Sequence, residues 1–163
     1  MLSVNISSLD PGLHQLLIEA DAQDAGLDAE QFRDVRVDVR LDRGDERVYV
    51  VFQAEAVARL ECDRTLKMFD MTVSGSYELL FVPEEEEAVR EGGKENVRVL
   101  HPDDQEIDIT DAVRDTIMLA VPQRKVAPGA DEVEIPTEFG APENDDIADP
   151  RWEALRKLRD DSE

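Results

Sequence analysis

The order of residues predicts an α+β fold: an antiparallel β meander with one packed helix. Strict apolar alternation in three runs between Val35 and Phe81, joined by short turns, gives the meander. An apolar stripe at helical spacing from Val113 to Ala120 gives the helix. The length of 163 residues fits one domain with tails.

In chain order, Leu2, Val4 and Ile6 alternate with Ser3, Asn5 and Ser7, which predicts a short half-buried strand. Asp10-Pro11-Gly12 breaks it. Leu13, Leu16 and Leu17 then recur at helical spacing and predict a brief helix through about Ala20. Asp21 to Gln31 is acidic, apolar-poor and reads as a connection. Val35, Val37, Val39 and Leu41 alternate with Arg36, Asp38, Arg40 and Asp42, and Arg43-Gly44-Asp45-Glu46 supplies a turn. The next strand places Val48, Val50, Phe52, Ala54, Ala56, Ala58, Leu60 and Cys62 on one face. A third places Phe69, Met71, Val73, Gly75, Tyr77, Leu79 and Phe81 on alternate positions. The small Ala54, Ala56 and Ala58 predict close packing across a curved sheet or a partly closed barrel.

Pro83 and the run Glu84 to Glu87 end the meander, and the segment to Asn96 reads as a solvated loop. Val97 and Val99 predict a short strand. Beyond Ile107 and Ile109, Thr110 is a natural N-cap, with Asp111 in the first turn. Val113, Ile117 and Ala120, joined by Ala112, Thr116 and Leu119, form the apolar stripe that ends at Pro122. The composition then turns acidic and proline-containing, which predicts a flexible linker over 123–148. Asp149 as N-cap and Pro150 at the first helical position open an amphipathic helix over 149–159, with Trp152, Leu155 and Leu158 on one face. The predicted organisation is an α+β domain over 1–122, the linker, this helix, and a tail over 160–163.

Charge narrows function more than length does. The chain carries 40 Asp+Glu against 18 Lys+Arg, a formal net charge of −22, and only 4 of the bases are Lys. Nucleic-acid affinity comes mainly from Lys and Arg neutralising phosphates, so such a body repels RNA unless it bears a basic patch. Anionic membrane surfaces are disfavoured for the same reason. Scarce Lys with abundant acid fits either a surface adapted to high internal salt, where self-repulsion is screened, or a basic partner. No apolar run reaches the roughly 18–20 residues that span a bilayer, and a basic segment followed by an apolar one is missing from the N-terminus, so a soluble cytoplasmic protein is expected. The single cysteine excludes an intramolecular disulfide.

No catalytic constellation emerges, and neither a metal site nor a cofactor is expected. His14 and His101 lie apart from each other and from Cys62 in sequence, and Gly92-Gly93 lacks the phosphate-loop frame. Asp103-Asp104 and Asp145-Asp146 are the kind of acid pairs that a chain so rich in carboxylates contains by chance. Cys62 beside Arg64 is either a small packed strand residue or a thiol with lowered pKa. Residues 31–67 hold 8 bases and 8 acids, so this stretch is neutral. Arg36, Arg40, Arg59 and Arg64 are its candidates for contact with RNA or a partner. Asp38 and Asp42 interleave with Arg36 and Arg40, and cross-strand ion pairing is the simpler account of that face. The Trp152 helix docks either on its own domain or in a partner's groove.

Three motifs resemble those of the YceD family, a bacterial and plastid family linked to accumulation of large-subunit ribosomal RNA. Asp149-Pro150-Arg151-Trp152 followed by Leu155 and Leu158 is similar to the family's closing motif. Leu119-Ala120-Val121-Pro122, preceded by Ile107-Asp108-Ile109, is similar to its second signature. Cys62-Asp63-Arg64-Thr65-Leu66 resembles its C-x-R-C-L element, with Thr65 where the family has a second cysteine. Cysteines that many members carry after the Leu-Pro signature are absent here between Gln123 and Gly140, so any zinc site built on them is not available to this chain. The resemblance spans roughly residues 30 to 160. It implies a non-enzymatic role in synthesis, processing or stability of large-subunit (23S) ribosomal RNA. The implied partner is a large-subunit precursor, met through its RNA or through a basic ribosomal protein. The alternative is a protein-interaction module that uses the Trp152 helix without touching RNA.

Overall fold

A computed structural model of the chain describes residues 1–85 and 96–132. The chain divides into two units, Met1–Asp131 and Glu132–Glu163. The first is described here. The predicted helix over 149–159, the tail over 160–163 and the part of the predicted linker from 133 to 148 lie outside the described residues.

The elements are β1 (Ser3–Asn5), β2 (Gly12–Ala20), β3 (Phe32–Arg43), β4 (Val48–Glu61), β5 (Met68–Val82), β6 (Val97–Val99), β7 (Glu106–Asp108) and α1 (Thr110–Ala120). The meander is present as read. β3, β4 and β5 pair antiparallel in an unbroken sequence of neighbours, with Val39 opposite Phe52 and Phe52 opposite Tyr77. Alternation dictates this, because period-two residues such as Val37, Val39 and Leu41 turn one apolar face inward and all three are fully buried.

Two additions widen the sheet to the order β2-β3-β4-β5-β6. β6 joins β5 in parallel, Phe81 opposite Arg98. β2 joins β3 antiparallel from Gly12–Arg43 to Ala20–Val35. The helix expected from Leu13 to Ala20 is therefore a strand. Leu16 and Ile18 face the core while Leu13 and Leu17 face solvent, and leucines on both faces imitate helical spacing.

The sheet is open. Among the described residues β2 and β6 end it without meeting, so the partly closed barrel is not formed. The small residues serve another purpose, which is to let α1 lie close on β4 and β5. Gly75 pairs with Ala54 and lies beneath Thr116 of the helix.

β1 and β7 make a separate two-stranded sheet, Val4 opposite Ile107. With the residues that flank its strands it contributes Leu2, Val4, Ile6, Ile107 and Ile109 to the shared core. Thr110 is the first residue of α1 rather than its cap. Its N–H donates to Asp108 Oδ1 at 2.8 Å, and its hydroxyl oxygen accepts the Leu2 N–H at 2.7 Å. A side chain expected to cap the helix thus ties the helix start to the N-terminal strand. Val113 and Ile117 are fully buried, whereas Leu119, assigned to the same stripe, is 86% exposed. Residues four apart share a helix face; the step from Ile117 to Leu119 turns away from it.

Candidate functional site

The solvent face of the sheet carries three of the four arginines singled out from the sequence. Alternation along β3 and β4 puts Arg36, Arg40 and Arg59 outward, and all three are exposed. Register then decides what each one meets. Arg36 lies opposite Glu19 on β2 and Glu55 on β4, and its Nε is 3.2 Å from Glu19 Oε1. Arg59 lies opposite Asp70 on β5. Arg40 stands between Gln15 and Val51 and lines a shallow depression of about 180 Å³ with Asp38, Gln53 and Ser76. Asp38 is held by the Gln15 amide, which donates to both carboxylate oxygens at 3.1 Å.

Arg33 was not among the candidates, yet it makes the best-formed ion pair of the face. Its two terminal nitrogens bind the two Asp70 oxygens at 3.2 and 2.9 Å, thirty-seven positions away in sequence. A β-bulge between Arg33 and Arg36 makes this reach possible. Asp34 takes a left-handed φ of 54°, which lets Phe32 and Val35 both turn inward and sends Arg33 out. The pair raises the Arg33 pKa and lowers that of Asp70, chiefly through this hydrogen bond. The cue was the broken alternation between Phe32 and Val35.

The structure does not gather the arginines into one cationic row. Arg36 is matched to a carboxylate on the neighbouring strand β2 and Arg33 to one on β5, two strands away across β4, while Arg59 faces Asp70, whose carboxyl Arg33 already holds. Ion pairing between strands is present on this face, but the acids are Glu19 and Asp70 rather than the Asp38 and Asp42 that interleave with Arg36 and Arg40, and Asp38 is held by Gln15 instead.

Arg64 belongs elsewhere, in the turn after β4, where its NH1 is 3.6 Å from Asp131 Oδ1. Here Cys62, Arg64 and Leu66 of the C-x-R-C-L-like element form a compact knuckle. Leu66 N–H donates to the Cys62 carbonyl at 2.8 Å, and Leu66 has a left-handed φ of 55°. The returning chain completes it. Asp63 N–H donates to the Lys125 carbonyl, Lys125 N–H to Asp63 Oδ2, and Ala127 N–H to Cys62 Sγ at 3.3 Å. Cys62 is fully buried as a packed residue. Its thiol is nonetheless lowered to about 7, first by the Ala127 N–H and then by the Thr65 hydroxyl, with burial opposing them. Thr65, the residue at which this element departs from the C-x-R-C-L pattern, thus helps to lower the Cys62 thiol. Leu119 and Pro122 lie at the end of α1 on the way to this knuckle. Asp149, Pro150, Arg151, Trp152, Leu155 and Leu158 lie outside the described residues.

The histidines have local roles. His14 Nε2 is 2.7 Å from the Asp10 carbonyl, and His101 Nδ1 is 3.3 Å from Asp104. At the Ala20 end of β2, a cavity of about 610 Å³ is lined by Glu19, Asp21, Asp24, Asp34 and Glu55 together with Arg36. Among the described residues no helix is long and apolar enough to cross a membrane.

Fold and surface together define an open β-sheet protein with α1 packed on the sheet, a charge-paired outer face and a knuckle that closes on the chain after that helix. That chain belongs to the YceD family, described as large ribosomal RNA subunit accumulation protein YceD, whose model matches residues 50–159. The match runs from β4 through α1 and includes the knuckle. No curated protein and no solved structure matches the chain.

Proposed function

We propose that this protein is a non-enzymatic factor supporting synthesis, processing or stability of large-subunit (23S) ribosomal RNA, and that it contacts a basic protein of the assembling subunit. Family membership supports the ribosomal half of this reading. The observation that carries the contact half is the pairing on the sheet face, where Arg36 is bound by Glu19 and Arg33 by Asp70. An arginine committed to a carboxylate is a poor phosphate ligand, because a phosphate must first displace an anion already in place. An excess of acid, −22 over the chain, attracts basic ribosomal proteins instead. Local partners for both histidines also favour a binding role over a catalytic one.

Crosslinking in cells followed by isolation of large-subunit precursors tests this. Crosslinks to ribosomal proteins in precursor particles are expected. Crosslinks to RNA at Arg36, Arg40 or Arg59 would overturn the protein-contact half, and a protein absent from precursors would overturn the ribosomal half.

A further inference from the structure

β2 closes one end of the sheet and, among the described residues, is hydrogen-bonded on one side only. Such an edge presents alternate N–H and C=O groups to solvent, and proteins usually guard it with Lys, Pro, a bulge or a short strand. β2 has none of these guards. It runs nine residues, Gly-Leu-His-Gln-Leu-Leu-Ile-Glu-Ala, in unbroken register with β3 and with Glu19 as its one acid. Along its outer face Leu13 is 82% and Leu17 66% exposed. Their spacing, four residues apart on one strand, matches alternate outward positions on an added neighbour.

Charge says which neighbour. The acidic cavity opens at the Ala20 end of this same strand. Glu19 there pairs with Arg36, Asp34 with Arg33 and Asp24 with the Met1 amino group. Asp21 and Glu55 have no cation among the described ion pairs. A second copy, itself at −22, would bring a matching acidic rim to this end. A basic segment would be drawn to it.

We propose that the β2 edge receives an added strand from a partner protein: an extended basic segment whose alternate apolar side chains cover Leu13 and Leu17 and whose Lys or Arg enters the acidic cavity. Backbone hydrogen bonds supply affinity and the cavity supplies selectivity. The inference rests on the protein-contact reading above only for where such a partner is found.

The test uses the full chain and a synthetic peptide alternating valine with arginine, with a control N-methylated at alternate residues. The control keeps the charge and removes the strand N–H donors. The expected result is binding by the first peptide, slowed hydrogen exchange at β2 amides directed away from β3, and loss of both with the control. Leu17→Lys, at an exposed position, should weaken binding ~10-fold or more while thermal unfolding shows an intact fold. Asp21→Asn with Glu55→Gln should flatten its salt dependence. Equal binding of both peptides would reduce the effect to bulk charge attraction and overturn the proposal. So would unchanged exchange at β2, or a dimer of the chain that Leu17→Lys dissociates. Peptide capture at β2 by a protein that never crosslinks to subunit precursors would preserve this inference and sink the ribosomal reading; precursor crosslinks without peptide capture would do the reverse.

Discussion

A Cβ added to Gly75 would sit 2.8 Å from Thr116 Cγ2 and 3.3 Å from the Thr116 carbonyl oxygen. The Thr116 hydroxyl donates to the Ala112 carbonyl at 2.7 Å, which aims its methyl group at the sheet. Helix α1 therefore rests on bare backbone at this point, and the depth of its packing is set by a hydrogen atom.

Gly75→Ala should cost about 1–3 kcal/mol, the usual range for overpacking a tight interface. Thr116→Ser keeps the hydroxyl and deletes the methyl, so in the Gly75→Ala background it should recover part of the loss. The carbonyl oxygen remains too near for full recovery. Urea denaturation of the two single variants and the double variant measures the coupling. Strict additivity would show that the two positions do not meet as described.

The Cys62 thiol gives a pH signature. Its folded pKa, about 7, lies below the ordinary thiol value, so the folded state favours the thiolate. The associated stability is fully present above the unfolded value, about 8.5, and is lost as pH falls through the folded one. Stability of the wild type should therefore climb from about pH 7 to about pH 8.5 relative to Cys62→Ser. Only the slope is diagnostic, since serine also changes the packing. Thr65→Val removes a donor and should shift the rise to higher pH. Parallel profiles for all three proteins would show that the knuckle does not stabilise a thiolate.

The meander was legible because β3 and β4 bury one face and solvate the other, which leaves period two intact in the sequence. Legibility failed where a residue answers to something besides the core. β2 carries leucine on both faces, since one face packs on the core and the other lies bare, and the result reads as a helix. The Phe32 to Val35 step breaks alternation because of a bulge, and the outward position of Arg33 is hidden with it. Pairings such as Ser3 with Asp108, and β6 lying parallel to β5, join segments whose own residues say nothing of their neighbours. Arginine positions could be read from alternation. Whether each arginine was free for a ligand depended on cross-strand register, which the sequence does not display.

The two ends of the stripe on α1 should behave differently. Ile117 is fully buried in the core, and Ile117→Ala should cost about 2–5 kcal/mol. Leu119 is 86% exposed, and Leu119→Ala should stay within about 0.5 kcal/mol. Thermal unfolding of the two variants checks this. A large loss at Leu119 would place it in a packed environment after all.

Asp70 governs part of the acid limb. Its carboxyl is held below the ordinary value by the Arg33 hydrogen bond. Its contribution is present above the unfolded pKa, about 4, and disappears as pH falls through the lower folded value. Asp70→Asn should flatten the stability profile below about pH 4 and leave its shape near neutrality unchanged. Both partners are about half exposed, so the effect is small and shrinks with added salt. An acid limb identical in wild type and variant would show that the pair is not formed in solution.

Salt acts on this protein in two opposite directions, and their balance is predictable. It weakens the exposed pairs Arg36–Glu19 and Arg33–Asp70, whose contributions are small. It also screens the repulsion among acids that have no base to match them, an excess of 22 charges over the chain. Residues 31–67 are neutral and gain little from screening, while the stretch after Pro83 holds 24 acids against 10 bases and gains most. The second effect is the larger, so thermal stability should rise with KCl. The Debye length falls from about 10 Å at 0.1 M to about 3 Å at 1 M, so most of the rise should be complete within that range. Each kcal/mol gained should appear as roughly 2–4 °C in Tm for a chain of this size. Potassium chloride suits the measurement because it is a weak Hofmeister salt, and a rise continuing linearly well beyond 1 M would point to surface exclusion instead. A Tm that falls with KCl would mean that ion pairs outweigh repulsion, contradicting the reading of the acid excess as unmatched charge.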